Sequence, residues 1–139
     1  MKDFFYSGGF LYNPKTQEVL LHHRDQYAKV NPNVWAFFGG GSEPGETPKE
    51  CFMREIKEEL SIVITEDQVM PLTDYLNVEL DTHRNVFYVE SDLPKSSMKL
   101  GEGKDFDWVP LSNLAKYDLT AMTKADLELF ISKQKADKL

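Results

Sequence analysis

Residues 39–62 read GGGSEPGETPKECFMREIKEELSI, in which a glycine triad leads into a strongly acidic segment. Thr47 is a good N-cap, Pro48 suits the first helical position, and Glu50 completes a T-x-x-E capping box. These start signals predict a helix over residues 47–60. At about 100° per residue, its apolar side chains fall on one arc, formed by Phe52, Met53, Ile56 and Leu60.

The acidic residues of this helix form a second arc beside the apolar one. Glu55, Glu58 and Glu59 share a face over little more than one turn. A solvated helix face is the ordinary explanation of such a run, yet like charges at i, i+4 destabilise a helix by about 0.2–0.5 kcal/mol per pair. A hard divalent cation reverses the sign of this interaction, because Mg²⁺ prefers oxygen ligands. The three carboxylates are therefore candidate metal ligands, with a solvated acidic face as the alternative.

The glycine triad before the helix favours a ligand site. Gly39, Gly40 and Gly41 allow the backbone to approach a ligand closely, so we expect contacts of this loop with substrate. The segment resembles a phosphate-binding loop but lacks the G-x-x-x-x-G-K-[ST] pattern, which predicts that metal ions hold phosphates more than the loop does. We also expect the triad to end regular structure.

The remaining chain alternates short strands with two further helices. Strands are predicted at residues 4–12, 18–23, 34–38, 62–64, 69–80, 83–90 and 106–109, and helices at 111–117 and 123–135. The order predicts an α/β fold with a mixed β-sheet covered by helices on both faces, in one domain over residues 1–139.

Composition narrows the classes of partner. The chain has 139 residues, with 16 Lys and Arg against 23 Asp and Glu, a net charge of −7 that argues against binding to a nucleic-acid backbone. No apolar run approaches the ~20 residues of a membrane span. Cys51 is the only cysteine, which excludes an intrachain disulfide, and the first residues are unlike a signal peptide. We expect a cytoplasmic monomer or homodimer with no membrane and no polymeric nucleic acid as partner.

The spacing of residues 40–62 matches a family motif. Gly40 is followed after five residues by Glu46, and after seven more by Arg54-Glu55-Ile56-Lys57-Glu58-Glu59-Leu60-Ser61-Ile62. This stretch resembles the Nudix box, G-x5-E-x7-R-E-U-x-E-E-x-G-U, where U is aliphatic, and the resemblance covers essentially the whole chain. Ser61 stands where the family usually has a helix C-cap glycine. We interpret this change as costing stability while leaving the chemistry intact.

The resemblance implies a Nudix-type α/β/α sandwich and a hydrolase that cleaves a nucleoside diphosphate linked to another group X, using Mg²⁺ or Mn²⁺. The residues that resemble metal ligands of the family are Gly40, through its carbonyl, Glu55, Glu58 and Glu59. Glu55 also resembles a base that acts on the attacking water. Arg54 and Glu46 resemble the pair that holds the loop against the helix.

Glu102 is the candidate for a fourth carboxylate, because small nucleoside triphosphate pyrophosphohydrolases of this family carry a Glu-Gly six residues before a Trp, here Trp108. A solvated loop acid is the alternative, and Asp105 and Asp107 are lesser candidates for the same role. Arg24 ends the second predicted strand, where relatives place a basic residue toward the phosphates; a surface salt bridge with Asp25 is the alternative.

Substrate recognition depends on less specific signals. Trp35, Phe37 and Trp108 are candidates for stacking on a nucleobase, although aromatic residues in strands are more often part of a core. Residues 77–80 lack the proline or tyrosine typical of family members that act on ADP-ribose or dinucleoside polyphosphates. This favours a (d)NTP or oxidised dNTP, cleaved to NMP and pyrophosphate. A nucleotide sugar or ADP-ribose, or a non-catalytic ligand-sensing role, are the alternatives.

Overall fold

The computed structural model describes residues 4–24, 33–101 and 105–137. In these ranges the order of strands and α-helices is β1 (Phe5–Asn13), β2 (Glu18–His23), β3 (Trp35–Ala36), β4 (Phe38–Gly41), α1 (Pro48–Leu60), β5 (Met70–Asn77), β6 (Thr82–Glu90), β7 (Asp105–Pro110) and α2 (Ala121–Asp137). Short 3₁₀ helices cover Glu66–Gln68, Lys95–Ser97 and Leu111–Lys116. Neither α-helix in the described part has the length and apolar character needed to cross a bilayer.

The strands form one mixed sheet organised around β1. β1 pairs in parallel with β6 and antiparallel with β2 and β4. β5 pairs antiparallel with β6, while β3 and β7 both pair antiparallel with β2. The parallel register places Ser7 opposite Asn85, and the antiparallel register places Ser7 opposite Gly40. The glycine triad therefore lies beside the central strand of the sheet.

Two apolar clusters cover the opposite faces of this sheet. Because successive side chains of a strand point to opposite faces, Leu11 joins the cluster under α1 while Phe10 joins the cluster under α2. α1 contributes Phe52, Ile56 and Leu60 to the first cluster, and α2 contributes Leu127 and Phe130 to the second. The predicted α/β class, with helices on both faces of a mixed sheet, is confirmed.

The strand predicted at residues 34–38 is divided between β3 and β4, and two further local predictions were wrong. The glycine triad does not end regular structure: it belongs to β4, whose residues pair with Tyr6 to Gly9 of β1. The strand predicted at residues 62–64 is absent, and residues 61–65 have no regular structure. Ser61 turns the chain out of α1, after which Ile64 anchors in the core while Val63 is 79% exposed. Packing of Ile62 and Ile64 against the core, without a neighbouring strand, accounts for the apolar signal.

Candidate active site

Both ends of α1 are defined by local hydrogen bonds. At the start, the Glu50 N–H donates to Thr47 Oγ1 at 3.2 Å and the Thr47 N–H donates to Glu50 Oε1 at 2.9 Å, which is the predicted capping box. At the end, Ser61 adopts the left-handed conformation with φ 59° and ψ 33°, and its N–H donates to the Lys57 carbonyl. The start and the end of α1 are therefore both fixed, and with them the positions of the acidic residues along the helix.

Gly40 brings the β4 backbone against the carboxylate of Glu55. A Cβ on Gly40 would lie 2.6 Å from Glu55 Oε2, closer than real Cβ contacts come. Any other residue here would require the Glu55 carboxylate to shift away. The Cys51 thiol lies 3.7 Å from the Gly40 carbonyl oxygen, and burial raises the pKa of Cys51 to about 11, so that the thiol stays protonated at neutral pH.

Arg54 is the centre of the polar contacts on α1. Its Nε and Nη2 groups donate to the two carboxylate oxygens of Glu46, at 2.6 and 3.1 Å. Its Nη1 group donates to Glu55 at 2.9 Å and to Glu58 at 3.1 Å. Nη2 also donates to the Gly41 carbonyl at 3.0 Å. One guanidinium therefore joins the loop before α1, strand β4 and two carboxylates of the acidic arc.

The charges of this cluster stabilise each other. The hydrogen bond from Arg54 lowers the pKa of Glu46 below its usual value. The same bond, followed by the one to Glu55, raises the pKa of Arg54 above its usual value. The Glu46 and Glu55 side chains are 15% and 14% exposed, so water screens the pairs only in part. Glu46 and Arg54 therefore remain ionised across the neutral range.

The acidic arc lines an open cleft. Glu55, Glu58, Glu59 and Gly101 surround a volume of about 220 Å³. Glu59 is 5% exposed, whereas the Glu58 side chain is 52% exposed and can reorient. Within residues 4–24, 33–101 and 105–137, no three His, Cys, Asp or Glu side chains are grouped closely enough to hold a metal ion. The oxygen donors suit a hard cation, but Glu55 and Glu58 are turned toward Arg54.

The predicted substrate contacts are scattered. Trp35 stacks on His23, with ring centroids 4.5 Å apart, and meets Tyr117 edge-on. Trp108 donates from Nε1 to the Leu93 carbonyl at 3.0 Å and packs against the core under α1. Phe37 requires a correction: it is 3% exposed and packs against Phe10, so its ring belongs to the core and is not available for a base.

The polar candidates outside the box have different surroundings. Arg24 directly follows β2, is half-buried, and donates its backbone N–H to the Val34 carbonyl. Asp105 pairs with Lys95 at 3.1 Å. Glu102, the expected fourth carboxylate, lies outside the described residues.

A buried polar cluster on the α2 face was missed in the sequence. Arg84 donates from Nε to Asp126 at 3.0 Å, and the Tyr75 hydroxyl donates to the other Asp126 oxygen at 2.9 Å. The side chains of Arg84 and Asp126 are 11% and 4% exposed. The guanidinium also lies 4.9 Å from the centre of the Tyr6 ring. A signal existed, because Asp126 occupies the same helical stripe as Leu127 and Phe130, where an acid needs a partner.

Known proteins resemble this chain in sequence and in fold. The NUDIX domain family matches residues 6–130. The nucleoside triphosphatase NudI of Escherichia fergusonii is 33% identical over 110 residues, covering 72% of this chain and 78% of that protein. The MutT protein from Methanosarcina mazei Go1 has a TM-score of 0.73 at 23% identity over 95% of each chain. A bifunctional NMN adenylyltransferase/ADP ribose pyrophosphatase from Francisella tularensis, solved with AMP and a Mn ion, has a TM-score of 0.74 at 20% identity; the match covers 94% of this chain and 41% of that one.

Proposed function

The chain belongs to the NUDIX family and is a pyrophosphohydrolase, and on that premise we propose that it hydrolyses a nucleoside triphosphate to a nucleoside monophosphate and pyrophosphate. The observation that carries the proposal is the cleft on α1 that Glu55, Glu58 and Glu59 line, with the Gly40 backbone against the Glu55 carboxylate. Water is the nucleophile, and the bond between phosphorus and the bridging oxygen of the anhydride breaks.

We infer that the cleft takes a divalent cation, Mg²⁺ or alternatively Mn²⁺. Its ligands would be Glu58, Glu59, Glu55 and the Gly40 carbonyl, with Glu102 as a further candidate. When bound, such an ion neutralises phosphate charge and lowers the pKa of the attacking water. The donor chemistry supports this inference, because carboxylate and carbonyl oxygens are the ligands that Mg²⁺ prefers. The contacts of Arg54 with Glu55 and Glu58 support it as well, since they mark the place where a positive charge is stabilised.

Each charged side chain of the site has a role that follows from its position. Glu46 holds the Arg54 guanidinium with two hydrogen bonds, and Arg54 in turn orients the Glu55 carboxylate. Glu55 is confined between Arg54 and the Gly40 backbone, so it is suited either to hold the cation or to accept a proton from water. Glu58 is exposed enough to exchange Arg54 for the cation. Glu59, which is buried beside Gly101, contributes a negative charge that solvent screens little.

A nucleoside triphosphate is the favoured substrate because the Escherichia fergusonii relative, which is 33% identical to this chain over 110 residues, is a nucleoside triphosphatase. The Francisella tularensis enzyme bears the name ADP ribose pyrophosphatase, but at 20% identity its likeness concerns the fold. The chain also retains Glu55, Glu58 and Glu59, which argues against a non-catalytic, ligand-sensing role.

The test is a substrate panel with product analysis. Purified protein is incubated with Mg²⁺ and each NTP and dNTP, an oxidised dNTP, ADP-ribose and a nucleotide sugar, and the products are separated by ion exchange. We expect NMP and pyrophosphate from at least one triphosphate, and no product with excess chelator. If only ADP-ribose or the nucleotide sugar is cleaved, the proposed triphosphate substrate is wrong and that compound represents the substrate class. Binding of a nucleotide with no cleavage of any compound would assign a sensing domain instead.

A further inference from the structure

Residues 98–101, here called the strap, run along the C-terminal end of α1. The Lys99 N–H donates to the Leu60 carbonyl at 3.0 Å, and the Gly101 N–H donates to the Glu59 carbonyl at 2.7 Å. An α-helix leaves its last four carbonyls without helical partners. The strap therefore satisfies two of these carbonyls, one of them on a residue of the acidic arc.

Alternate side chains anchor the strap in the core. Met98 is 8% exposed and belongs to the apolar cluster under α1, and Leu100 packs against the same cluster. Ser61 Oγ, just beyond the helix, donates to the Lys99 carbonyl at 3.5 Å. The backbone of the strap is thus fixed both to the end of α1 and to the core beneath it.

Gly101 touches the helix where a side chain cannot fit. A Cβ at this position would lie 2.3 Å from the Glu58 carbonyl oxygen and 3.4 Å from Glu59 Cα. Ordinary contact begins at 3.4 Å, so either the strap or the last turn of α1 would have to move by about 1 Å. Gly101 also lines the cleft together with Glu55, Glu58 and Glu59. The same glycine therefore meets the backbone of two carboxylate residues and the cleft that they form.

We propose that Gly101 is a positioning residue, which through the strap fixes the last turn of α1 and thereby the carboxylates of Glu58 and Glu59. Its effect on rate rests on the proposed function, whereas its effect on the end of the helix does not. A displacement of 1 Å remote from the reacting atoms can cost about 10²-fold in rate. At saturating Mg²⁺, Gly101→Ala is therefore expected to lower kcat about 10²-fold and to leave KM within about threefold, because the cation and the substrate still bind while the carboxylates are displaced.

The experiment compares wild type, Gly101→Ala and Lys99→Ala. Lys99 is exposed and already carries a Cβ, so its truncation keeps the backbone contacts of the strap. Amide hydrogen exchange is followed at Lys99 and Gly101, Mg²⁺ alone is titrated by calorimetry, and kcat and KM are measured per folded molecule. We expect protected amides in wild type and Lys99→Ala, and in Gly101→Ala a loss of that protection, Mg²⁺ binding weakened about tenfold or more, and the kcat loss given above.

Several results would overturn the proposal. Rapid exchange of the Gly101 amide in wild type would show that the strap is not hydrogen-bonded to the end of α1. Unchanged Mg²⁺ affinity and kcat in a folded Gly101→Ala protein would reduce Gly101 to a stability role. If Gly101→Ala folds poorly, it is combined with Ser61→Gly, which relieves the left-handed serine at the same helix end but also removes the hydroxyl contact with the Lys99 carbonyl. The double variant is then compared with Ser61→Gly alone, and a kcat equal to that of Ser61→Gly would also refute positioning. If wild type hydrolyses no nucleotide, the function fails, and the exchange and Mg²⁺ results still decide the strap.

Discussion

Replacing Arg54 with lysine keeps one positive charge but removes the planar guanidinium, which donates to both carboxylate oxygens of Glu46. An ammonium is a point charge on a flexible stem and cannot reproduce bidentate pairing. At this position the lysine ammonium can make one good hydrogen bond, to Glu46, Glu55 or the Gly41 carbonyl, and one weaker bond to a second of these acceptors. At least one bond to Glu46 and the bond to Glu55 are lost.

The size of the effect follows from the burial of the pairs. A hydrogen bond to a charged group contributes about 1.5–3 kcal/mol. The Arg54 side chain is 22% exposed and lysine retains its charge, so part of the two lost bonds is recovered through water and Coulomb attraction. We expect Arg54→Lys to lower the free energy of unfolding by about 2 kcal/mol. Because Glu55 loses its orienting partner, kcat should fall about 10–100-fold.

Urea denaturation and steady-state kinetics of the triphosphate reaction measure both effects. Lys57→Arg is the matched control, since it exchanges the same two residue types on the same helix at an exposed position. It should change the free energy of unfolding by less than about 0.5 kcal/mol. If Arg54→Lys behaves like this control in both assays, the guanidinium does not organise the carboxylates and the account of the site is wrong.

Other positions give independent tests. Ser61→Gly should raise the free energy of unfolding by about 0.5–1 kcal/mol in urea melts, because relief of the left-handed serine outweighs the added entropy of the unfolded chain and the loss of the long, 3.5 Å hydroxyl contact with the Lys99 carbonyl. Glu46 has a lowered folded pKa, so its stabilisation is present above its ordinary pKa of 4.5 and is lost as pH falls through the folded pKa; Glu46→Gln should flatten that acid limb of a stability-versus-pH curve. Asp126→Asn should cost about 3–5 kcal/mol of unfolding free energy, since it leaves Arg84 buried without its counter-charge, and a loss below 1 kcal/mol would contradict this.

The parts of the fold that follow local rules could be predicted from the sequence. The capping box and the apolar arc of α1 depend on residues within one or two turns of each other, and the structure has both. The left-handed conformation of Ser61 agrees with the C-cap glycine that the Nudix box has at this position. Glu59 belongs to the acidic arc beside the apolar arc, and its 5% exposure agrees with that neighbourhood.

The features that depend on distant partners could not be predicted. Pairing of the glycine triad with β1 joins residues more than 30 positions apart, and nothing local distinguishes a glycine strand from a glycine loop. The Arg84–Asp126 pair spans 42 positions, and the strap reaches α1 from about 40 residues away. The residues on either side of Phe37 do not show whether its ring is exposed or buried, and only its packing against Phe10 assigns it to the core.

The most direct test of the central claim is the turnover of Glu58→Gln at saturating Mg²⁺, measured beside wild type and Lys57→Gln with the preferred triphosphate. The substitution removes a ligand charge without changing side-chain shape, and Glu58 is 52% exposed, so the fold should be retained. We expect kcat of Glu58→Gln to fall about 10²–10³-fold, while Lys57→Gln stays within twofold of wild type. Near-full turnover of Glu58→Gln would contradict the assignment of the acidic arc as the catalytic metal site.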